Sequence, residues 1–437
     1  MLTINSIIPE IQRARTIHRY DLRPHKESPL LKEIDPKRKL IISIHGLGDV
    51  VSRHHANHLV AMQRRFPGIE YIGVETKGEE ELKGQLAKLK SLGLEFKDIL
   101  SPIELYGLID NGSLVIDGVD VALPPQLHYE VPQTLLKDIK GFNGRVLIEK
   151  PVAIPKHLNG IKELGQEFPD RILTADFKLG SRAVEVLLAE KLIERIGPVT
   201  TIAGRFVENY PIEVLRNMVK ERKGLLRFDV SGGGFLYDMD VHKLAEQLRY
   251  LYEINPSTEI EIVDFMLAYI DDQEIKSHRD WNAETYGQTH LRAGKIDIYG
   301  DAGKGIDTKE FSFPNCIIGE KGFLIISTGT PKRYPFIYIS ENGKEPEFYV
   351  FSDDMGYEKI FETFLLILYG IPSPEQKIWF NCTVNAASII AAINKINTEG
   401  LKHGGEMQRY SIGETPNPEF ANKIYISPDP GSYIKFD

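Results

Sequence analysis

Cysteine is nearly absent. The 437 residues carry two, Cys316 and Cys382, far apart in the chain and each among apolar neighbours. That excludes a disulfide framework and a cysteine-built zinc site, and suits reduced thiols in a core. No window holds the roughly 18 to 20 uninterrupted apolar residues of a membrane helix, so no membrane partner is expected. The first stretch, MLTINSIIPEIQRARTIHRY, lacks the basic-then-apolar order of a secretory signal, and the cytoplasm is the expected location. An excess of positive charge is missing too: 53 Lys and Arg against 62 Asp and Glu leave a net charge of −9, with no electrostatic footprint for nucleic acid. What is present, 42% hydrophobic and 26% charged residues, is the composition of an ordinary globular protein. The length exceeds the usual single core, so two domains and a small-molecule partner are expected.

Residues 1–38 are polar and rich in Lys, Arg and His, and read as an N-terminal extension. Then the pattern changes. KLIISI (39–44) is a β-branched run, GLGDVV breaks it, SRHHANHLVAMQRRF carries apolar residues at helical spacing, and IEYIGVE (69–75) is a second strand. This is the β-turn-α-β opening of a parallel nucleotide-binding sheet. Alternation continues through a helix over about 79–92, a strand-like SLVI at 113–116, DVALPP at 120–125, a helix near 131–140 and the strand GRVLIE, closing a first domain over 39–155. A second domain, 156–400, opens with two helices split by RILTADF and the strand GPVTTIAGRFV. It then runs strand after strand between 259 and 351, and ends in a helix pair over 357–369 and 383–396. That meander spacing implies a large, mainly antiparallel sheet. Residues 401–437 read as an extended tail. An open apolar sheet face must be covered, so a homodimer or homotetramer is expected.

Gly46, Leu47, Gly48, Asp49 and Val50 lie between strand and helix, where glycine lets the backbone approach a pyrophosphate that a helix N-terminus stabilises. Glu75 ends the next strand, where a carboxylate accepts bonds from ribose hydroxyls and repels a 2′-phosphate. This favours NAD over NADP, although Lys77 two residues on could reverse it. In VALPPQLHYEV, Pro124 and Pro125 stop a ladder at the carboxyl edge of the sheet, where a nicotinamide would lie. His128 then either hydrogen-bonds near the cofactor or caps the following helix. At the same edge GRVLIE ends on Glu149-Lys150-Pro151, a carboxylate, an ammonium and a proline in succession. SGGGFLYDMDVHKLAEQLRYL (231–251) delivers three glycines and then a helix with Asp238 and His242 four apart on one face. Such a His exchanges a proton near neutral pH while the Asp sets its tautomer or binds the same substrate oxygen; a solvated helix face is the plain alternative. His54 and His58 also stand four apart, but no third ligand accompanies them, so a packing or surface role is expected, and no metal. His278 and His290 fall in a stretch that reads as a loop between strands.

In this order these features resemble the Gfo/Idh/MocA oxidoreductases, the family of glucose-fructose oxidoreductase and inositol dehydrogenase, over about residues 39–398. The carriers are Gly46-x-Gly48, Pro124 with His128, Glu149-Lys150-Pro151, and Gly232-Gly233-Gly234 followed by Asp238 and His242. The resemblance implies an α/β chain: an N-terminal Rossmann domain on a parallel sheet, and a C-terminal α+β domain with a large open, mainly antiparallel sheet. It implies NAD or NADP held by residues 46–50, Glu75, Pro124, His128, Glu149 and Lys150. Catalysis would fall to Lys150, Asp238 and His242, acting on a sugar, polyol or related hydroxy compound. Two positions depart from the pattern: Val51 stands for the usual small residue, and Asp49 brings a carboxylate to the pyrophosphate turn. Gly48-Asp49-Val50 and ADFKLGSRAVEVL (175–187) are also similar to glucose-6-phosphate dehydrogenases, which would imply a sugar phosphate and NADP. There Phe177 replaces the His that recognises phosphate, while Asp176 and Lys178 remain candidates for substrate contact; Lys178 and Arg182, near a helix start, could equally be solvated. A third reading is a ligand sensor, since the family includes a yeast transcriptional repressor that keeps the fold without the activity. The joint presence of Lys150, Asp238 and His242 argues for an enzyme.

Overall fold

The computed structural model describes residues 22–23, 28–208, 210–221, 231, 233–256, 258–270, 272, 284–305, 315–328, 335–351, 356–402 and 408–410. Six short strands form one parallel sheet, in the spatial order Asp98–Leu100, Ile69–Val74, Leu40–His45, Gly118–Val121, Arg145–Glu149, Ile172–Ala175. In chain order this is 3-2-1-4-5-6, the Rossmann arrangement, and the order reverses between Leu40–His45 and Gly118–Val121. The central strands are apolar and buried along nearly their whole length, as a parallel sheet covered on both faces requires. Because Ile172–Ala175 pairs with Arg145–Glu149, the sheet takes in residues beyond 155.

The stretch 113–116, expected as a strand, is not one. The helix Pro102–Asp110, opened by a Ser101–Glu104 capping box, ends in a turn with Gly112 at φ 76°. Pairing with Leu40–His45 starts only where the Asp117 N–H donates to the Ile41 carbonyl at 2.9 Å, so residues 113–116 are consumed in crossing from helix to sheet.

The second sheet has ten strands, ordered Leu22–Arg23, Glu347–Phe351, Phe336–Glu341, Gly322–Ser327, Asn315–Gly319, Val199–Glu208, Ile296–Lys304, Tyr286–Ala293, Ile260–Ile270, Gln408–Tyr410. Its pairings are antiparallel except for Val199–Glu208 with Ile296–Lys304 and for the two short edge pieces. One of these strands corrects an expectation: His290 lies in Tyr286–Ala293, not in a loop. Gln288, His290 and Arg292 alternate with buried Thr289, Leu291 and Ala293, and the His290 Nε2 sits 2.9 Å from Asp297 on the next strand. His278 lies outside the described residues.

Helix Phe235–Ile254 packs on this sheet and against the long helix Pro374–Lys402, which also lies on the last Rossmann strand, so both domains share one continuous apolar core. On the opposite face of the sheet Cys316, Ile318, Phe323, Ile325 and Tyr338 are at most 6% exposed, and helix Ile212–Glu221 covers Val207, Met266, Ala268 and Ile270. The bare apolar face on which oligomerisation was expected is therefore not found among the described residues. Cys316 and Cys382 are both buried and unpaired with each other. Of the N-terminal extension, Pro29–Glu33 forms a short turn whose Leu31 enters the core. No helix among the described residues is long and apolar enough to cross a membrane.

Candidate active site

At the carboxyl edge of the parallel sheet the chain leaves Leu40–His45 through Gly46, whose φ is +85° and whose Cβ, if present, would fall 2.7 Å from the Ala122 carbonyl. Only glycine fits there. At Gly48 a Cβ would meet nothing nearer than Gln85, at 4.0 Å, so the backbone is bare on that side. Leu47 is buried beneath the turn and Val50 is exposed. The helical run starts at Asp49 and continues through Val51–His55 into Ala56–Arg65. Its unpaired first N–H groups stand beside this bare backbone, an arrangement that fits a dinucleotide pyrophosphate. The Asp49 carboxylate pairs with Arg53 at 2.9 Å and faces Lys88 at 3.9 Å, so its charge is matched on the helix surface. Val51 is buried against the sheet. Glu75 follows Ile69–Val74 half-buried, its carboxylate accepting from the Thr76 N–H at 2.9 Å. Pro124 is exposed in the loop that touches Gly46 through Ala122 and Leu123.

Of the two roles expected of His128, it does not cap the helix, and its hydrogen bonds go to the loop and turn at the carboxyl edge of the sheet. Helix Leu127–Gln133 starts after Gln126, and the His128 ring, 1% exposed, has its two nitrogens 2.6 Å from the carbonyls of Leu123 and Pro151. It clamps the Pro124 loop to the turn after Lys150, and burial pushes its pKa down despite those two acceptors.

Two domains converge at that turn. Lys150 Nζ lies 2.8 Å from Asp238 Oδ1 and 2.9 Å from the Asp238 carbonyl. Asp238 sits in the first turn of helix Phe235–Ile254, which begins at Gly234, where a Cβ would run into the Glu284 carbonyl. Gly232 lies outside the described residues. Lys304, at the end of its strand, approaches the other Asp238 oxygen at 3.4 Å and Glu208 at 3.6 Å. Burial opposes charge on both partners, but the facing charges win: Asp238 is held well below the usual carboxylate range by Lys150 and Lys304, and Lys150 is raised by Asp238. The pair is not sealed, since about a fifth of the Lys150 side chain and a quarter of Asp238 remain exposed (18% and 25%).

One turn on stands His242, for which Asp238 was expected either to set the tautomer or to bind the same substrate oxygen. Asp176 sets the tautomer instead: Nδ1 lies 2.8 Å from Asp176 Oδ1, just past the last Rossmann strand, while Asp238 is committed to the two lysines. With Nδ1–H donating to a carboxylate, Nε2 carries the lone pair. Burial lowers the His242 pKa, with Asp176 opposing, so the ring is kept neutral. Lys178, expected at a helix start, is 5% exposed, its Nζ 2.6 Å from the Thr328 hydroxyl and about 5 Å above the rings of Phe177 and Phe206 (5.1 and 5.0 Å). Burial pushes it down to about 8. Phe177 and Phe206 both pack on the His242 ring, so Lys178 stands directly behind the site. Arg182 is buried beside Glu185 rather than solvated.

Glu149 is turned inward. One oxygen lies 2.8 Å from His55 Nε2 and 3.3 Å from the Tyr357 hydroxyl, the other accepts from the Lys150 N–H at 3.1 Å, and the residue is 4% exposed. His55 Nδ1 in turn lies 2.8 Å from Asp120 in the neighbouring strand. His54 and His58 flank this core by stacking on Tyr357 and Phe361. His55, Asp120, Tyr357 and Lys304 were not singled out from the sequence. A signal was there for two: His55 is in helical register with buried Val51 and Leu59, and Asp120 interrupts the apolar strand GVDV, where a buried carboxylate must have a partner. Among the described residues no group of three or more His, Cys, Asp or Glu side chains is placed to hold a metal ion.

Residues 41–172 match a family model described as an oxidoreductase family with an NAD-binding Rossmann fold. Among curated proteins none matches the chain. Solved structures similar to it include the 3-ketoreductase KijD10 from Actinomadura kijaniata in complex with NADP and TDP-benzene, at 17% identity and a TM-score of 0.58 over 85% of this chain and 100% of that one. Another is aldose-aldose oxidoreductase from Caulobacter crescentus complexed with glycerol, at 16% identity and a TM-score of 0.61 over 83% and 98%. At these identities the likeness is one of fold.

Proposed function

We propose, from the match of residues 41–172 to an oxidoreductase family with an NAD-binding Rossmann fold, that this chain is a Gfo/Idh/MocA oxidoreductase that transfers a hydride between a nicotinamide dinucleotide and a sugar, polyol or related hydroxy compound. The observation that carries the reading is the 2.8 Å contact of Lys150 with Asp238, one from each domain, at the carboxyl edge of the parallel sheet, one strand beyond the point where the order of strands reverses. The turn at 46–50 would hold the pyrophosphate and Glu75 the ribose hydroxyls, which favours NAD over NADP. When bound, the cofactor gives or accepts the hydride.

The charge states divide the proton work. Lys150, an ammonium at rest, donates a hydrogen bond to the substrate oxygen, stabilises negative charge growing on it, delivers the proton in reduction and, as the free amine, takes it back in oxidation. His242, kept neutral with Nε2 unprotonated and held by Asp176, accepts a hydrogen bond from the same substrate hydroxyl and orients it for that transfer in both directions. Asp238 fixes the Lys150 ammonium. Lys178 stands behind the His242 ring and is the candidate for a further substrate contact. A sugar-phosphate substrate lacks support at position 177, where the phenyl ring packs on His242 and Tyr357. A non-catalytic sensor would have no use for the separate protonation of Lys150 and His242.

The test is a fluorescence titration with NADH and NADPH, followed by a panel of sugars and polyols read by nicotinamide absorbance. Failure to bind either cofactor sinks the proposal. Binding without turnover on any hydroxy or keto compound returns the sensor.

A further inference from the structure

We infer that His55 is a positioning residue for Lys150: bonded through both ring nitrogens to Asp120 and Glu149, it keeps Glu149 ionised and fixed beneath the Lys150 turn. The inference rests on the reading of Lys150 as the proton carrier. Both contacts are 2.8 Å, and ring, Asp120 and Glu149 are all buried. A neutral imidazole has one N–H and would set its lone pair against the second carboxylate; an imidazolium donates to both. A proton on Glu149 instead is disfavoured by its other contacts, the Tyr357 hydroxyl at 3.3 Å and the Lys150 N–H at 3.1 Å, because a carboxyl group facing three donors is best ionised.

The surroundings agree. Asp120 faces the ring from Gly118–Val121, Glu149 from Arg145–Glu149, and Tyr357 and Phe361 from helix Tyr357–Leu368. On its own helix, burial and the neighbouring histidines push His58 down to about 4, and His54 is lowered by burial as well, so neither competes for the proton. One imidazolium against two carboxylates leaves one negative charge, and the Lys150 ammonium balances it. His55 thereby couples the helix that would receive the pyrophosphate to the turn that carries the catalytic ammonium.

The test reads Lys150 directly and needs no substrate. Lysines of the full chain are reductively methylated with isotope-labelled formaldehyde, the Lys150 resonance is identified by its loss in Lys150→Arg, and its titration is followed by NMR. Glu149→Gln removes a neighbouring negative charge and should move the midpoint down by roughly one pH unit. His55→Gln leaves Glu149 buried without its cation and therefore protonated, and should give the same displacement, with the double variant moving it no further. A Lys150 resonance unmoved in His55→Gln, or displacements that add, overturns the inference. Should His55→Gln not fold, Asp120→Asn loosens the ring from its other side and is read in the same way. Cofactor titration of the native chain stays separate: if NADH and NADPH fail to bind, the dehydrogenase reading falls while the Lys150 displacement still decides the brace.

Discussion

The Lys150 ammonium and the Asp238 carboxylate meet at 2.8 Å although 88 residues separate them and each belongs to a different sheet's domain. Neither domain alone holds the pair. The strand Arg145–Glu149 brings the lysine to the carboxyl edge of the parallel sheet, and the helix Phe235–Ile254 of the other domain supplies the acid and, one turn later, His242. The contact is both a fastening between domains and the centre of the proposed chemistry.

Lys150→Ala should therefore lower turnover by roughly 10² to 10⁴ fold, the usual worth of a positioned proton donor, while leaving cofactor binding in place. Steady-state rates with the substrate found by panel screening, alongside an NADH fluorescence titration, check both halves. Full hydride transfer in the variant would remove Lys150 from the mechanism.

Asp238→Asn should act through Lys150. Asp238 raises the lysine pKa against the burial that opposes its charge, so losing the carboxylate lowers it. In the reduction direction the active form carries the proton, and the alkaline limb of the rate profile should move to lower pH. A profile of kcat against pH that superimposes on the native one would contradict this.

Glu75 predicts the cofactor. Its half-buried carboxylate at the end of Ile69–Val74 should make NADH bind more tightly than NADPH, and Glu75→Gln should narrow the gap by relieving repulsion of the 2′-phosphate. Competitive titration of the two cofactors decides it. A native preference for NADPH would assign the decisive contact to Lys77 instead.

Much of the site is legible in the sequence, for reasons that differ by residue. Gly46 and Gly48 are read from local chemistry, since glycines between a strand and a helix mark a turn whose backbone can approach a pyrophosphate, and at Gly46 a φ of 85° leaves no other choice. Lys150, Asp238 and His242 are legible because charged groups at the end of an apolar strand or in register on one helix face stand out against their neighbours. The partners of those groups are not. Asp176, not Asp238, orients His242, and Lys304 shares Asp238 with Lys150; both depend on how two sheets dock, which no spacing within one segment encodes. His55 carries no such mark, because in RHHANH the pair at i, i+4 is His54 and His58. Tyr286–Ala293 was lost because three polar side chains on its outer face break the apolar run that marks a strand.

The last prediction concerns stability and uses two histidines of opposite sign. Burial alone would lower the His55 pKa, but Asp120 and Glu149 beside it raise it to about 10 in the folded chain, against 6.5 unfolded. A group whose pKa is raised on folding contributes fully below its unfolded value and loses that contribution as pH rises toward the folded one. The difference in thermal midpoint between the native chain and His55→Gln should be largest at pH 6.5 and below, where breaking a buried ion pair costs about 3–5 kcal/mol, and should shrink toward pH 10. His45, ten residues earlier and 1% exposed, is the mirror image: burial pushes it down to about 3. Its contribution is complete above pH 6.5 and is lost as pH falls toward 3, so the midpoint difference against His45→Gln should shrink on the acid side. Taking differences between native and variant cancels the groups that do not touch the substituted side chain. Two curves of opposite slope bear out the charged His55 and the neutral His45; a flat curve for either one assigns it the wrong state.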